Sequence, residues 1–335
     1  MRYDDIFTFD NLLKAHYKSR KGKRHKKEVI VFEENLLVNI ENLRRRLLKH
    51  EYRISSYNEF TIYEPKRREV AALSYEDRIV QHCFCDNFLT PLLDKRLIYD
   101  NAACRKGKGT DFARGRLTHF LSAFYRKHKL NGYVLRFDIH HYFDEIDHDV
   151  LKRKLRKIIS DEVIYDFCAM IIDSFNKDLN KGLPLGNQTS QAFALYYLDE
   201  VDRLIKERHR VKCYCRYMDD GVAIHEDRVF LEKLLFDLKN ALACLKLSLN
   251  EKTAIMPLKN KFSFLGVNYQ LHDGGKITKT VNHMKKARIK RYLKVNGGNK
   301  DTIQSLAAYF LKYNEHFFVL NHLKRRVTEY GSHRK

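Results

Sequence analysis

Tyr217-Met218-Asp219-Asp220 sets two carboxylates side by side, between the run Cys213-Tyr214-Cys215-Arg216 and the apolar segment Gly221-Val222-Ala223-Ile224. An acidic pair between two such segments is the pattern of a β-hairpin that lifts carboxylates out of a sheet. Taken alone, an acidic pair describes a solvated turn as well as a metal site. A second acid changes that balance. Tyr133-Val134-Leu135-Arg136-Phe137-Asp138 has the composition of a strand and ends on a carboxylate, just before His140-His141-Tyr142-Phe143. Carboxylates at the ends of two strands are hard oxygen donors that invite a shared divalent cation, Mg²⁺ before others.

The elements that would position these acids follow from periodicity. After the strand at 133–138 come helices at 148–159 and 161–175, a loop, a helix at 190–207 and a hairpin turning at 219/220. A helix at 228–247 and a hairpin around Gly266 complete an alternation like that of a ferredoxin-like split unit. Upstream, Leu36, Leu37, Ile40, Leu43, Leu47 and Leu48 form one face of a helix over 35–52. Tyr57 to Tyr63 alternates as a strand until Pro65, and Ser74 caps a helix reaching Leu93. Arg105-Lys106-Gly107-Lys108-Gly109-Thr110 is a basic loop without the spacing of a nucleotide-hydrolysing P-loop. It reads as a template-phosphate contact or as a plain exposed loop. Beyond about residue 275 the chain turns basic and helical. Gly297-Gly298 reads as a joint, followed by a last amphipathic helix through Leu306, Phe310, Phe317 and Leu320.

Composition narrows the partner. A formal charge of +22 on 335 residues suits a polyanion, because each Lys or Arg that meets a phosphate releases counterions. The charge is concentrated in Lys18, Arg20, Lys21, Lys23, Arg24, Lys26 and Lys27 and again in Lys285, Lys286, Arg288, Lys290, Arg291 and Lys294. The seven cysteines include no Cys-x-x-Cys pair, which argues against a zinc site and for reduced thiols. No secretory pattern opens the chain, and no apolar run approaches the ~18 residues of a membrane span, so a soluble cytoplasmic protein is expected.

At this point the residues resemble the reverse transcriptases. The resemblance rests on ordered blocks over roughly residues 60 to 270. They are Pro65-Lys66-Arg67-Arg68, Asp138 to Phe143, Gly182-Leu183-Pro184-Leu185-Gly186-Asn187-Gln188-Thr189-Ser190-Gln191, Tyr217 to Asp220, Lys252, and Phe264-Leu265-Gly266. The family implies an α+β right-hand polymerase with fingers, a ferredoxin-like palm and a helical thumb, preceded here by a short helical N-terminal extension. The expected boundaries are a basic extension at 1–54, fingers at 55–132, a palm at 133–272 with a fingers insertion at about 152–182, and a thumb at 273–335. No ribonuclease H domain is expected after that thumb.

The resemblance also implies roles. Asp138, Asp219 and Asp220, with the main chain of Ile139, would hold two Mg²⁺ ions ~4 Å apart, Mn²⁺ being an alternative. Phe143 matches the aromatic that occludes a ribose 2′-hydroxyl, so the product is expected to be DNA. Lys66 and Arg68 would fold over the triphosphate of the incoming dNTP, and Lys252 would lie near the departing pyrophosphate. Leu185, Gly186, Gln191, Tyr217 and Met218 would pack against the nascent base pair, while Phe264, Leu265 and Gly266 would form the primer grip.

One block departs from the common pattern. Most reverse transcriptases carry Gln-Gly-x-x-x-Ser-Pro where this chain has Leu185-Gly186-Asn187-Gln188-Thr189-Ser190-Gln191. The aliphatic form is similar to that of diversity-generating retroelement enzymes of bacteria and phages, which copy an RNA template with frequent errors opposite adenine. That reading implies an RNA template inside a structured non-coding RNA, a DNA or RNA primer and a small basic helical accessory protein. Antiviral defence reverse transcriptases with similar loops imply a dedicated non-coding RNA and a companion enzyme, with repetitive or untemplated DNA as a product. A maturase-like RNA-binding protein with a relic palm is a further alternative, opposed by the intact acids.

Overall fold

A computed structural model describes residues 2–63, 67–175, 180–296, 300–313 and 315–324. Short helices open the chain, at Tyr3–Ile6, Phe9–Ser19, Lys27–Glu34 and Leu36–Leu48. Thr8 caps the second of them by accepting from the Asn11 amide at 3.3 Å. In the last, Ile40, Leu43 and Leu47 form the buried stripe, whereas Leu37, expected on that face, is 61% exposed. With the helix starting at Leu36, Leu37 falls about 100° off the stripe.

β1 (Asn58–Ile62) and β2 (Arg68–Ala72) pair antiparallel as a separate two-stranded ribbon. The next helix, Tyr75–Phe84, starts at the expected cap, with Ser74 Oγ accepting from the Asp77 amide at 3.2 Å. It runs on through a π-helical turn at Cys85–Leu89 into Thr90–Asp94. The helix expected after the basic loop spans Thr110–His128.

The central sheet is built from β3 (Tyr133–Phe137), β4 (Cys213–Tyr217), β5 (Asp220–His225) and β6 (Ala254–Pro257), in the order β4-β5-β3-β6 with antiparallel neighbours. Its chain order of strand, helices, hairpin, helix and strand is that of a ferredoxin-like unit. Both faces are covered, which explains why β4 and β5 are apolar nearly throughout. Leu135, Phe137, Tyr214 and Ala223 pack on one side with Leu231, Leu234 and Leu238 of the Arg228–Cys244 helix. Val134, Cys215, Val222 and Ile224 pack on the other with Leu117, Leu121 and Phe124 of Thr110–His128.

The helix expected over 190–207 is divided. Gln188–Tyr197 ends at Leu198, and a second piece, Asp199–Arg203, passes into a π-helical turn at Leu204–Arg208. β7 (Phe262–Phe264), β8 (Val267–Leu271) and β9 (Ile277–Val281) form a second antiparallel sheet. The basic helix His283–Asn296 follows, then Lys300–Leu311 and His316–Val319, the last continuing as Leu320–Lys324. The expected Gly297-Gly298 joint lies outside the described residues. Among the described residues every cysteine is a free thiol, and no helix is long and apolar enough to cross a membrane.

Candidate active site

Asp138 and the acidic hairpin leave the central sheet at the same end, because Phe137 pairs with Gly221, the residue after Asp220. The hairpin turns through two residues, with Tyr217 paired to Asp220 and Met218 in the left-handed region at φ 53°. Gly221 is required by contact: a Cβ there would lie 2.1 Å from Cζ of Phe137. The ring lies flat on the glycine and leaves no volume for a side chain.

The carboxyls of Asp138 and Asp219 come within hydrogen-bonding reach of each other. Burial pushes the Asp219 carboxyl up to about 6; the Asp138 carboxylate adds to the rise, while a backbone amide and the Arg216 guanidinium oppose it. Asp220 is half-buried beside them on β5. Among the described residues no cluster of three or more His, Cys, Asp or Glu side chains surrounds one point. The two neighbouring carboxyls nevertheless fit a divalent cation, since a positive charge between them offsets the burial and the repulsion that raise Asp219. Ile139 forms an isolated antiparallel bridge with Leu249, and the ladder bonds run from His140 N to Ser248 O and from Asn250 N to Asp138 O. In that pattern the Ile139 carbonyl turns away from Leu249, toward the edge where the acidic hairpin lies.

Phe143 sits in the one-turn helix Tyr142–Glu145, entered through His141 at φ 40°. Its carbonyl accepts from the Leu183 amide at 2.8 Å, and the neighbouring Tyr142 hydroxyl donates to the Ala194 carbonyl. The one-turn helix is thus tied to the 182–186 loop and to the Gln188–Tyr197 helix, and the Phe143 ring lies 5.7 Å from that of Tyr142. Leu185 and Gly186 form the turn of that loop, Gly186 at φ 103° with Val70 of β2 as its neighbour. Gln191 lines a groove with Asp86, Asp94, Leu97, Cys104 and Lys106. Tyr217 and Met218 pack on Leu97, Ala103 and Leu195.

Lys252 is exposed in a tight turn before β6. Arg136 of β3 holds that turn, donating to the Lys252 carbonyl at 3.3 Å and to Ser263 Oγ of β7 at 3.0 Å. Phe264 is buried, and Leu265 and Gly266 turn at φ 48° and 76°. Arg114 donates to the Leu265 carbonyl at 2.5 Å and to the Tyr313 hydroxyl at 2.9 Å. Arg68 opens β2 and is exposed; Lys66 lies outside the described residues.

Several residues that build this region were not legible as such. Arg105, expected to face a template or solvent, points inward and pairs with Asp94, donating also to the carbonyls of Ile98 at 2.7 Å and Asn101 at 3.0 Å. Arg216 is fully buried against Asp202. A lone Arg inside an apolar strand was the available signal for it, because a buried guanidinium demands a carboxylate partner.

A hairpin of acids at the end of a ferredoxin-like sheet, opposed by a further acid on the adjoining strand, belongs to a polymerase-like fold of mixed helices and sheets. The chain belongs to the reverse transcriptase (RNA-dependent DNA polymerase) family, whose model matches residues 64–269. That membership makes it an RNA-directed DNA polymerase domain, a nucleotidyltransferase. Comparison with curated proteins returns no match. Among solved structures, apo telomerase from Candida tropicalis truncated from its C-terminal domain is similar at 16% identity and a TM-score of 0.51, over 70% of this chain and 58% of that one. Telomerase from Candida albicans, in complex with a TWJ fragment of telomeric RNA, is similar at 12% identity and a TM-score of 0.53, over 81% of this chain and 54% of that one. At these identities the likeness is one of fold, and the chain spans little more than half the length of either telomerase.

Proposed function

We propose that the chain copies an RNA template into DNA by nucleotidyl transfer, with Asp138, Asp219, Asp220 and the Ile139 carbonyl holding Mg²⁺. The observation that carries the reading is the meeting of Asp138 and Asp219 at the end of the sheet, with Asp219 raised to about 6 by burial and by its partner. Bound Mg²⁺, as two ions, would acidify the primer hydroxyl and neutralise the triphosphate, and Mn²⁺ satisfies the same oxygen donors.

The remaining roles belong to the chain's own side chains. Phe143 closes the space beside the sugar and excludes a 2′-hydroxyl. Arg68, with Lys66, reaches the triphosphate from the β1–β2 ribbon. Lys252 lies on a turn hung from the Asp138 main chain and supplies a proton or positive charge to the departing pyrophosphate. Leu185, Gly186 and Gln191 shape the wall against the base pair, Tyr217 and Met218 its floor, and Phe264, Leu265 and Gly266 hold the primer. In this reading residues 1–54 are an extension, 55–132 fingers, 133–272 palm and 273–335 thumb.

Primer extension on a defined RNA template with dNTPs and Mg²⁺ tests the activity. Product that requires the template and disappears in Asp219→Asn supports it, and a folded chain that binds RNA but never extends a primer would leave a maturase-like role. The Leu185-Gly186 turn favours the error-prone, diversity-generating programme, because an aliphatic side chain offers the base pair no polar check. Leu185→Gln should then lower misincorporation opposite template adenine, and an unaltered error spectrum removes that assignment. Sequencing the RNA and DNA that copurify from the native host separates the programmes. Adenine-mutated copies of one RNA mark diversification with a structured RNA and a basic accessory protein; repetitive or untemplated DNA marks defence with a companion enzyme.

A further inference from the structure

The acidic hairpin is held by a buried charge pair that the chemistry itself does not use. Arg216, the residue before Tyr217, is 0% exposed, and the side chain of Asp202 is 1% exposed. The guanidinium grips Asp202 through both edges of the carboxylate, Nε to Oδ1 at 2.8 Å and Nη2 to Oδ2 at 2.6 Å. Tyr214, whose hydroxyl burial keeps protonated, donates to the same Oδ1 at 2.7 Å. With the carboxylate satisfied, the remaining donors of Arg216 reach main-chain carbonyls on two different elements. Nη1 donates to Met218 at 2.7 Å, and Nη2 to Leu195 at 3.2 Å.

Met218 is the left-handed residue of the turn, a conformation that costs a side-chain-bearing residue energy unless its surroundings enforce it. Leu195 belongs to the helix that carries Gln191 and follows the Leu185-Gly186 turn. One planar fork therefore fixes the carboxylate turn and the nucleotide-side helix in a single geometry, which a lysine, with a compact ammonium on a longer stem, cannot reproduce. The division of the 188–208 helix at Leu198 gives the second piece its own start at Asp199, and Asp202 lies buried on that piece beneath the hairpin.

We propose that Arg216, clamped by Asp202, is a positioning residue that holds the Met218–Asp219 turn pre-formed against the Gln188–Tyr197 helix. Arg216 is shut off from solvent and so from substrate, and it acts through the turn; the inference rests on the polymerase reading above.

The test uses the whole chain free of metal and nucleic acid, with amide hydrogen exchange read separately for peptides over 213–222 and 133–138. Arg216→Lys keeps the charge opposite Asp202 and loses the fork. Exchange across the turn should rise about tenfold or more, with β3 changed less than about twofold. Primer extension by the same variant should lose about 10- to 100-fold in kcat, with primer–template affinity unchanged. Tyr214→Phe, which removes one hydroxyl and leaves the ion pair, should give a smaller change of the same pattern and serves as the test if Arg216→Lys does not fold. Turn exchange equal to wild type, or a rise shared evenly by the whole sheet, would overturn the proposal and mark the pair as general stabilisation. Failure of the wild-type chain to extend any primer would count against the polymerase reading alone, since the exchange result needs no activity.

Discussion

The β1–β2 ribbon and the β4–β5 hairpin are nearly equal in length and opposite in surroundings. β1 and β2 pair only with each other, and Phe60, Ile62 and Tyr63 around their turn are 48%, 40% and 73% exposed. Among the described residues the ribbon meets the 182–186 loop through Val70, and two strands alone are marginal in water. β4 and β5 are covered on both faces, and their turn is tied from beneath by Arg216. Arg68, proposed to reach the triphosphate, thus sits on an exposed two-stranded ribbon. Of those proposed to hold ions, Asp219 and Asp220 sit on a hairpin packed on both faces and tied at its turn. Grasping and positioning are assigned to hairpins of different rigidity, as preorganised electrostatics requires of the second and substrate entry of the first.

The sharpest way to break this contrast is at the carboxylates. Asp138→Asn or Asp219→Asn should reduce primer extension by about 1,000-fold or more while the chain keeps its fold, which circular dichroism and a melting curve would verify. Asp219→Asn also reports on the cost of the pair. The folded-state value is raised from 3.8 to about 6, so the native chain holds this proton more tightly than the unfolded one within that window. Relative to Asp219→Asn, the metal-free wild type should lose thermal stability as pH rises through the window, and Mg²⁺ at higher pH should return it. A pH-independent difference between the two melting curves contradicts the assignment.

Gly221→Ala comes next. Its Cβ would have to displace the Phe137 ring beneath the turn, so extension should fall about 100-fold, with a destabilisation of about 1–3 kcal/mol in denaturant titrations. Full activity would mean the turn is less rigid than the packing indicates. Phe143→Val should admit ribonucleotides, lowering the preference for deoxyribonucleotides about 10- to 100-fold in competition assays, while extension with dNTPs alone changes little. Arg68→Ala should have the smallest effect. The KM for dNTP should rise about three- to tenfold and the melting temperature should not move, as befits an exposed residue on a ribbon. A large drop in Tm would show that the ribbon is held more firmly than its exposure suggests.

What could be read from the residues alone follows the same division. The hairpin at 217–220, the strand ending at Asp138, the Ser74 cap and the helix before β6 were visible because each has a local signature: alternation, an acidic turn, a capping hydroxyl or a 3.6-residue period. The Phe9–Ser19 and Lys27–Glu34 helices were hidden by the basic run between them, where Lys18 pairs with Asp86 at 2.8 Å and Arg20 pairs with Glu33. The break at Leu198 and the pairing of Arg216 with Asp202 were hidden for a different reason. The lone Arg within β4 marks a charge headed for burial, but only the fold brings its partner. The same holds for Arg105, whose acceptors are largely main-chain carbonyls that any sequence offers, and for Arg114, whose Tyr313 and Leu265 partners lie far along the chain.

Arg114 has a mechanical consequence. Its guanidinium bonds both the turn at Leu265 and the hydroxyl of Tyr313, while Lys285 donates to Tyr309 at 2.7 Å alongside. The loop proposed to grip the primer end and the C-terminal helices beside it are therefore bolted into one jaw. In the polymerase reading, a duplex advancing by a base pair would meet the Leu265 turn and the Tyr313 segment as parts tied through one guanidinium.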